Sequence, residues 1–487
     1  MKNSSKEADR IQDPPEFAVK FANAVFVLGL LFSVFVFCFY VYRLYKIWTA
    51  FNPDGFIYKG YSEQELYKYY IKSLFSGGIS ATLFGFGVRL KNSLKVNLSL
   101  LIFTTGISIY AFETYLEISR MQVLQRQQMA EKMSVPYDTR EYIEVLEDLR
   151  TDGVEAYPNV LPYLFINQNG INTNNRSIYP LGGISNITTI LVNESGYYPI
   201  IETDEHGFNN SKCLYKKNKV DIMLTGDSFT EGYSVHSDEN ISAVLGKSGF
   251  NAINIGKGGN GSLLEFAALK EYAEPLKPKI VLWVYFINDL DNLRSEENSS
   301  ILNRYINEDD FSQNLMSRQA EIDSVLTNYV WENREESLWG RSRIVIPTVI
   351  NILKLSNFRT KINLIPSQIP PITTTKHAPE SFKNILEKSK KIVSRWGGKL
   401  YFVYLPSNSR YTTGREHSFR EDVLDTVSEL GIPFIDIHRE VFEPHPAPSS
   451  LFPLSFGKNA HYTAVGYRLV AEAIANRLEA DGIILEN

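Results

Sequence analysis

The stretch from Phe21 to Tyr42 carries no charged side chain and is bounded by Lys20 and Arg43. At about 1.5 Å per residue, a helix of this length crosses a hydrocarbon core about 30 Å thick, so a membrane span is expected here. A cleaved leader fits less well, because the apolar run is long and ends in Tyr40, Tyr42 and Arg43 instead of a small-residue cleavage site. Two weaker segments follow. Ser73 to Val88 is charge-free but short and rich in glycine, while Val96 to Phe112 is more apolar and lies between Lys95 and Glu113. Gly77, Gly78, Ala81 and Gly85 permit close helix packing inside a membrane. Three spans, 21–42, 70–88 and 96–116, are therefore expected within an N-terminal membrane anchor over 1–117, with two spans as the alternative. Arg89, Lys91 and Lys95 assign the loop they share to the cytoplasm, which puts everything beyond about residue 117 outside it. Arg43, Lys46, Lys59, Lys68 and Lys72, in the first loop, pull against that orientation.

The remainder of the 487 residues is ordinary in composition. A formal net charge of −5 without a stripe of Lys and Arg gives no basis for a nucleic-acid partner. Cys38 and Cys213 are too few and too far apart for a disulfide framework or a Cys-rich metal site. Residues 118–157 are charged and Gln-rich with helical character, and are expected to form a stalk. Residues 158–218 turn to Asn, Gly, Pro and β-branched types, a β- or loop-rich prelude with a strand at Ile187–Val192. From 219 to 487, short apolar strands alternate with amphipathic helices as in α/β proteins. The strands are Val220–Thr225, Asn251–Ile255, Ile280–Ile287, Leu400–Leu405 and Pro433–Ile437. An insertion over 293–379 interrupts them; one of this size has its own structure or serves as a lid that sets specificity.

Four clusters with chemical potential lie at element ends. The first strand runs into Gly226-Asp227-Ser228, where a serine hydroxyl would be presented at the sheet edge. The second is followed by the glycine-rich loop Asn254-Ile255-Gly256-Lys257-Gly258-Gly259-Asn260-Gly261, whose spacing fits neither a dinucleotide fingerprint nor a P-loop. The third ends in Phe286-Ile287-Asn288-Asp289, and the last helix is preceded by His461. Each cluster alone reads as a turn or a connection. Together they supply a nucleophile, a backbone donor, a side-chain amide and a base. No helix carries His or Glu pairs at metal-binding spacing, so no metal and no cofactor is expected. His438 and His445 lie in a Pro-containing loop without matching partners, and Arg410 and Tyr411, just past the fourth strand, are candidates for substrate contact.

In that order, the four clusters resemble the sequence blocks of the SGNH (GDSL) hydrolases, over roughly Lys219 to the C-terminus without the insertion. The resemblance implies a three-layer α/β/α sandwich on a mostly parallel five-stranded sheet. It further implies that Ser228 attacks an ester carbonyl, that His461 takes its proton, and that the Ser228 N–H, the Gly259 N–H and the Asn288 amide hold the oxyanion. Gly256 and Gly258 compete with Gly259 for that place. The chain departs from the family at Lys458, where most members carry the aspartate that orients the histidine. A Ser-His dyad, a carboxylate from elsewhere such as Asp436 at the end of the fifth strand, or a carbonyl oxygen would then have to serve. The function implied is a membrane-anchored serine esterase that removes O-acyl groups, O-acetyl foremost, from an envelope carbohydrate. An O-acyltransferase drawing on a separate membrane partner and a non-catalytic envelope binding or assembly protein are the alternatives.

Overall fold

The apolar run after Val220 forms strand β1 (Ile222–Gly226), every residue of which is buried in a computed structural model of the chain. Around it stand β2 (Ala252–Asn254), β3 (Ile280–Tyr285), β4 (Lys399–Tyr404) and β5 (Phe434–Asp436), in the order β2-β1-β3-β4-β5. All four pairings are parallel. Side chains alternate across the sheet. Met223, Val281, Trp283 and Phe402 enter one core, and Leu224, Leu282, Val284 and Val403 the other. Burial on both faces is why these strands read as continuous apolar runs instead of alternating ones. Helices Ser262–Ala268 and Glu380–Arg395 cover the first face; Ile241–Lys247 and Ala464–Ala480 cover the second. The expected three-layer sandwich is thus present. From β1 the chain moves outward to β2 and returns to β3 on the other side, so the carboxyl ends of β1 and β3 flank the switch point where open α/β sheets form their crevice.

The structure describes residues 13–50, 63–119, 122–172, 177–216, 220–332, 342–361, 378–414, 419–454 and 460–483. They fall into two units, one of Met1–Met121 with Val345–Thr374, the other of Gln122–Ile344 with Thr375–Asn487. In the first unit three helices are long and apolar enough to cross a membrane, with candidate spans Glu16–Tyr45, Tyr67–Val88 and Asn92–Ile118.

Two expected boundaries are corrected. Residues 118–157 do not form a free stalk, since Gln122 onward belongs to the unit with the sheet, where Arg126, Ala130, Val145 and Leu146 are buried. The prelude 158–218 is no separate layer either. Its two hairpins (Ile171–Asn172 with Ser177–Ile178, and Thr188–Ile190 with Ile200–Glu202) accompany Phe165, Tyr179 and Phe208, which enter the core on the first sheet face. The insertion 293–379 is divided between the units. Helices Ser300–Asn307 and Gln319–Glu332 bury Leu302, Tyr305, Ile322 and Leu326 in that same core, whereas Val345–Thr374 belongs with the membrane helices.

Candidate active site

At the end of β1, Asp227 caps the short helix Ser228–Glu231 by accepting the Phe229 N–H at 2.9 Å. Ser228 is the first residue of that helix, so its own N–H has no intrahelical acceptor. Its Oγ lies 2.7 Å from His461 Nε2 and 3.4 Å from Asp227 Oδ2, so the imidazole is the closer partner. His461 is buried just before helix Ala464–Ala480, whose cap is the Thr463 hydroxyl accepting from Gly466 N–H. Its ring is flanked by Phe229 (centroids 4.5 Å apart) and Tyr233 (5.0 Å).

The other ring nitrogen meets a carboxylate that the sequence did not suggest. Glu194 Oε2 lies 2.9 Å from His461 Nδ1 and also accepts the His461 backbone N–H at 3.1 Å and the Ser234 hydroxyl at 3.0 Å. Glu194 Oε1 accepts from Arg126 Nη2 at 2.8 Å. Burial works to raise the Glu194 pKa, but the His461 ring, its N–H groups and Arg126 prevail and hold it at about 2. Glu194 sits in the turn Asn193–Gly196, closed by Gly196 N–H donating to Asn193 Oδ1, with Gly196 at φ 97°. Ser234 is held at φ 73°, a left-handed conformation uncommon for a residue with a side chain, and from there its hydroxyl reaches Glu194.

Asp436 is therefore corrected as the orienting carboxylate. Its Oδ2 is paired with Arg420, with Arg439 at 3.5 Å, and its Oδ1 accepts the His438 N–H at 3.2 Å. Those cations neutralise it where it stands, at the end of β5. Lys458 lies outside the described residues. Tyr411 bonds His438 Nδ1 through its hydroxyl at 2.8 Å and stacks on Phe442.

The glycine loop resolves into spent and unspent donors. Gly256 N–H donates to Asn254 Oδ1 (2.7 Å) and Gly258 N–H to Glu231 Oε2 (2.6 Å), whereas among the described residues neither Gly259 N–H nor Ser228 N–H meets an acceptor. Of the three glycines, only Gly259 is partly exposed, and it adopts φ 77°. Glycine is required there twice over, for that conformation and because an added Cβ would come within 2.5 Å of the Tyr163 ring. The loop is held from below by Glu231, which also accepts from Lys257 Nζ (2.6 Å) and Asn159 Nδ2 (2.9 Å) in a fully buried ion pair. From the side, Asn292 Nδ2 donates to the Gly259 carbonyl at 3.2 Å.

Asn288 stands at the exit of β3, and its side chain is near enough to Asp227 to lower that carboxyl's pKa against the effect of burial. A primary amide offers two N–H hydrogens. Burial raises the Asp227 carboxyl pKa, and burial together with carboxyl neighbours pushes Glu265 and Asp289 well above the usual range. Ser228, Gly259 and Asn288 are each partly exposed between buried sequence neighbours. Among the described residues no group of three or more His, Cys, Asp or Glu side chains is placed to hold a metal ion.

No family model matches the chain, and no curated protein matches it. Among solved structures it is similar to TesA, at 11% identity over 53% of this chain and 98% of that one, with a TM-score of 0.30. A lipase/acylhydrolase from Enterococcus faecalis matches at 14% identity over 54% and 96% (TM-score 0.30), and an acetyl xylan esterase, AlAXEase, at 10% over 53% and 100% (TM-score 0.29). Likeness at these scores carries no step of the functional reading, which rests on side-chain geometry.

Proposed function

We propose that the chain is a serine esterase of the SGNH type, anchored in a membrane, that removes short acyl groups, acetyl foremost, from a carbohydrate outside the cytoplasm. The observation that carries this reading is the 2.7 Å approach of His461 Nε2 to Ser228 Oγ, with Glu194 on the opposite ring nitrogen. In this mechanism His461 Nε2 takes the proton as Ser228 Oγ bonds to the ester carbon. Glu194 receives the Nδ1–H bond, fixes the tautomer and stabilises the imidazolium. The carbonyl oxygen becomes an oxyanion held by Ser228 N–H, Gly259 N–H and Asn288 Nδ2. Collapse expels the alcohol, which takes the proton from His461. Water then attacks the acyl-serine, losing its proton to His461, and the acid leaves as Ser228 Oγ is reprotonated.

Three apolar N-terminal helices support the anchoring over 1–117, and the basic loop at Arg89–Lys95 supports the orientation. The Tyr163 ring lies against Gly259, beside one of the proposed oxyanion donors. The test incubates the full chain in nanodiscs with an O-acetylated oligosaccharide and an unacetylated acceptor. Free acetate released by the parent and not by Ser228→Ala is the expected result. Acetyl recovered on the acceptor would replace hydrolysis by transfer, and equal release by both proteins would sink both readings.

A further inference from the structure

The insertion contains Ile344–Leu353, a charge-free stretch flanked by Arg341 and Arg343 on one side and Lys354 on the other, which from Val345 belongs with the membrane helices. It lies in helix Ser342–Leu353, after which Leu355 adopts a left-handed conformation (φ 50°) before the short helix Ser356–Lys361. At about 1.5 Å per residue the apolar stretch covers about half of a hydrocarbon core, too little to cross it.

Its position is fixed by polar contacts with the ends of two candidate spans. Glu113, fully buried near the end of the third, accepts from Asn357 N–H (2.9 Å) and Phe358 N–H (2.6 Å). Glu117 accepts from Asn351 Nδ2 (2.9 Å), and the Tyr110 hydroxyl donates to the Leu353 carbonyl (3.4 Å). Arg359 bonds the hydroxyl of Tyr69, at the start of the second span. Tyr69 lies in a cluster with Tyr40, Tyr70 and Arg43, the last bonding the Tyr70 hydroxyl. Aromatic and basic residues gathered at span ends mark the membrane–water boundary. A helix pinned to that cluster has to sit at that depth, and it leaves Val349, Ile350 and Leu353 exposed, Leu353 by 65%.

We propose that helix Ser342–Leu353 lies in the headgroup–acyl boundary of the bilayer crossed by the three N-terminal helices, with Val349, Ile350 and Leu353 among the lipids and Lys354 toward anionic headgroups. The proposal rests on reading Glu16–Tyr45, Tyr67–Val88 and Asn92–Ile118 as spans. It changes the role of the insertion: this part is a second membrane attachment, so the chain of the other unit joins the membrane unit at both ends of 345–374 as well as after residue 121.

Native Cys38, exposed in the first span, and native Cys213, exposed in the other unit, provide lipid and water references. Single-cysteine full-length proteins retaining Cys38, retaining Cys213, or carrying Leu353→Cys or Val349→Cys with both native cysteines replaced by serine are labelled with an environment-sensitive fluorophore in vesicles containing anionic lipid. Quenching by nitroxide lipids is compared with quenching by aqueous iodide. The labels at 349 and 353 are expected to be shielded from iodide and quenched most by nitroxides near the headgroup. Iodide access at both positions alongside lipid quenching at Cys38 would overturn the proposal and leave the spans intact. Iodide access at Cys38 would overturn the span reading and the proposal with it.

Discussion

Replacing Glu194 by glutamine removes a charge without removing bulk, and the structure indicates why the amide is a poor substitute. Every partner of the carboxylate is a donor in this arrangement: His461 Nδ1–H, His461 N–H and the Ser234 hydroxyl on Oε2, Arg126 on Oε1. An amide NH2 at Oε1 faces the guanidinium donor. At Oε2 it faces the imidazole and favours the tautomer with its proton on Nε2, the nitrogen that must accept from Ser228. Loss of the orienting carboxylate in a serine triad lowers kcat about 10⁴-fold, about 5 kcal/mol of barrier. Glu194→Gln is expected to lose activity on that scale. KM should move little, since Glu194 acts through His461 and touches no substrate. Asp436→Asn, whose side chain faces Arg420, should leave kcat near the parent value. Steady-state kinetics on a chromogenic acetate ester, with circular dichroism to confirm folding, decides it. A folded Glu194→Gln protein within tenfold of the parent, or an Asp436→Asn loss equal to that of Glu194→Gln, would refute the assignment.

Further outcomes follow from the same geometry. Asn288→Ala removes one oxyanion donor and should lower kcat by about 10²–10³-fold, read in the same assay. Lys257→Met leaves Glu231 buried without its cation, and breaking such a pair costs about 3–5 kcal/mol, to be seen as a lower thermal midpoint of the sheet-containing unit. Glu194 titrates at about 2 in the folded state against an ordinary 4.5, so its ionised form contributes stability that is fully present above about pH 4.5 and lost as pH falls toward 2. Acid unfolding of Glu194→Gln should therefore be flatter across that window than that of the parent.

What the sequence disclosed and what it hid divide along range of interaction. Ser228, Gly259, Asn288 and His461 stand at ends of elements whose apolar patterns are local, so each could be picked out from its own stretch of sequence. The choice among Gly256, Gly258 and Gly259 needed the third dimension, because it depends on which N–H groups Asn254 and Glu231 consume. Glu194 lies 267 positions from the histidine it orients, in an Asn-Glu-Ser-Gly turn indistinguishable from any surface turn. No spacing rule connects the two. Asp436 looked suitable because β5 does end there, but Arg420 lies in the helix before β5 and claims its carboxylate. Residues 118–157 looked like a solvated stalk because they are charged and Gln-rich. Val145 and Leu146 nevertheless bury in a small core, and Arg126 is spent on Glu194.

The central claim is that Ser228 is an activated nucleophile, and a fluorophosphonate probe reads this directly. The full-length protein is treated with the probe, digested and mapped by mass spectrometry, with Ser228→Ala and Glu194→Gln in parallel. A single adduct on Ser228, absent from Ser228→Ala and forming far more slowly on Glu194→Gln, is the predicted result. A folded parent protein that takes up no probe at Ser228 would contradict the account.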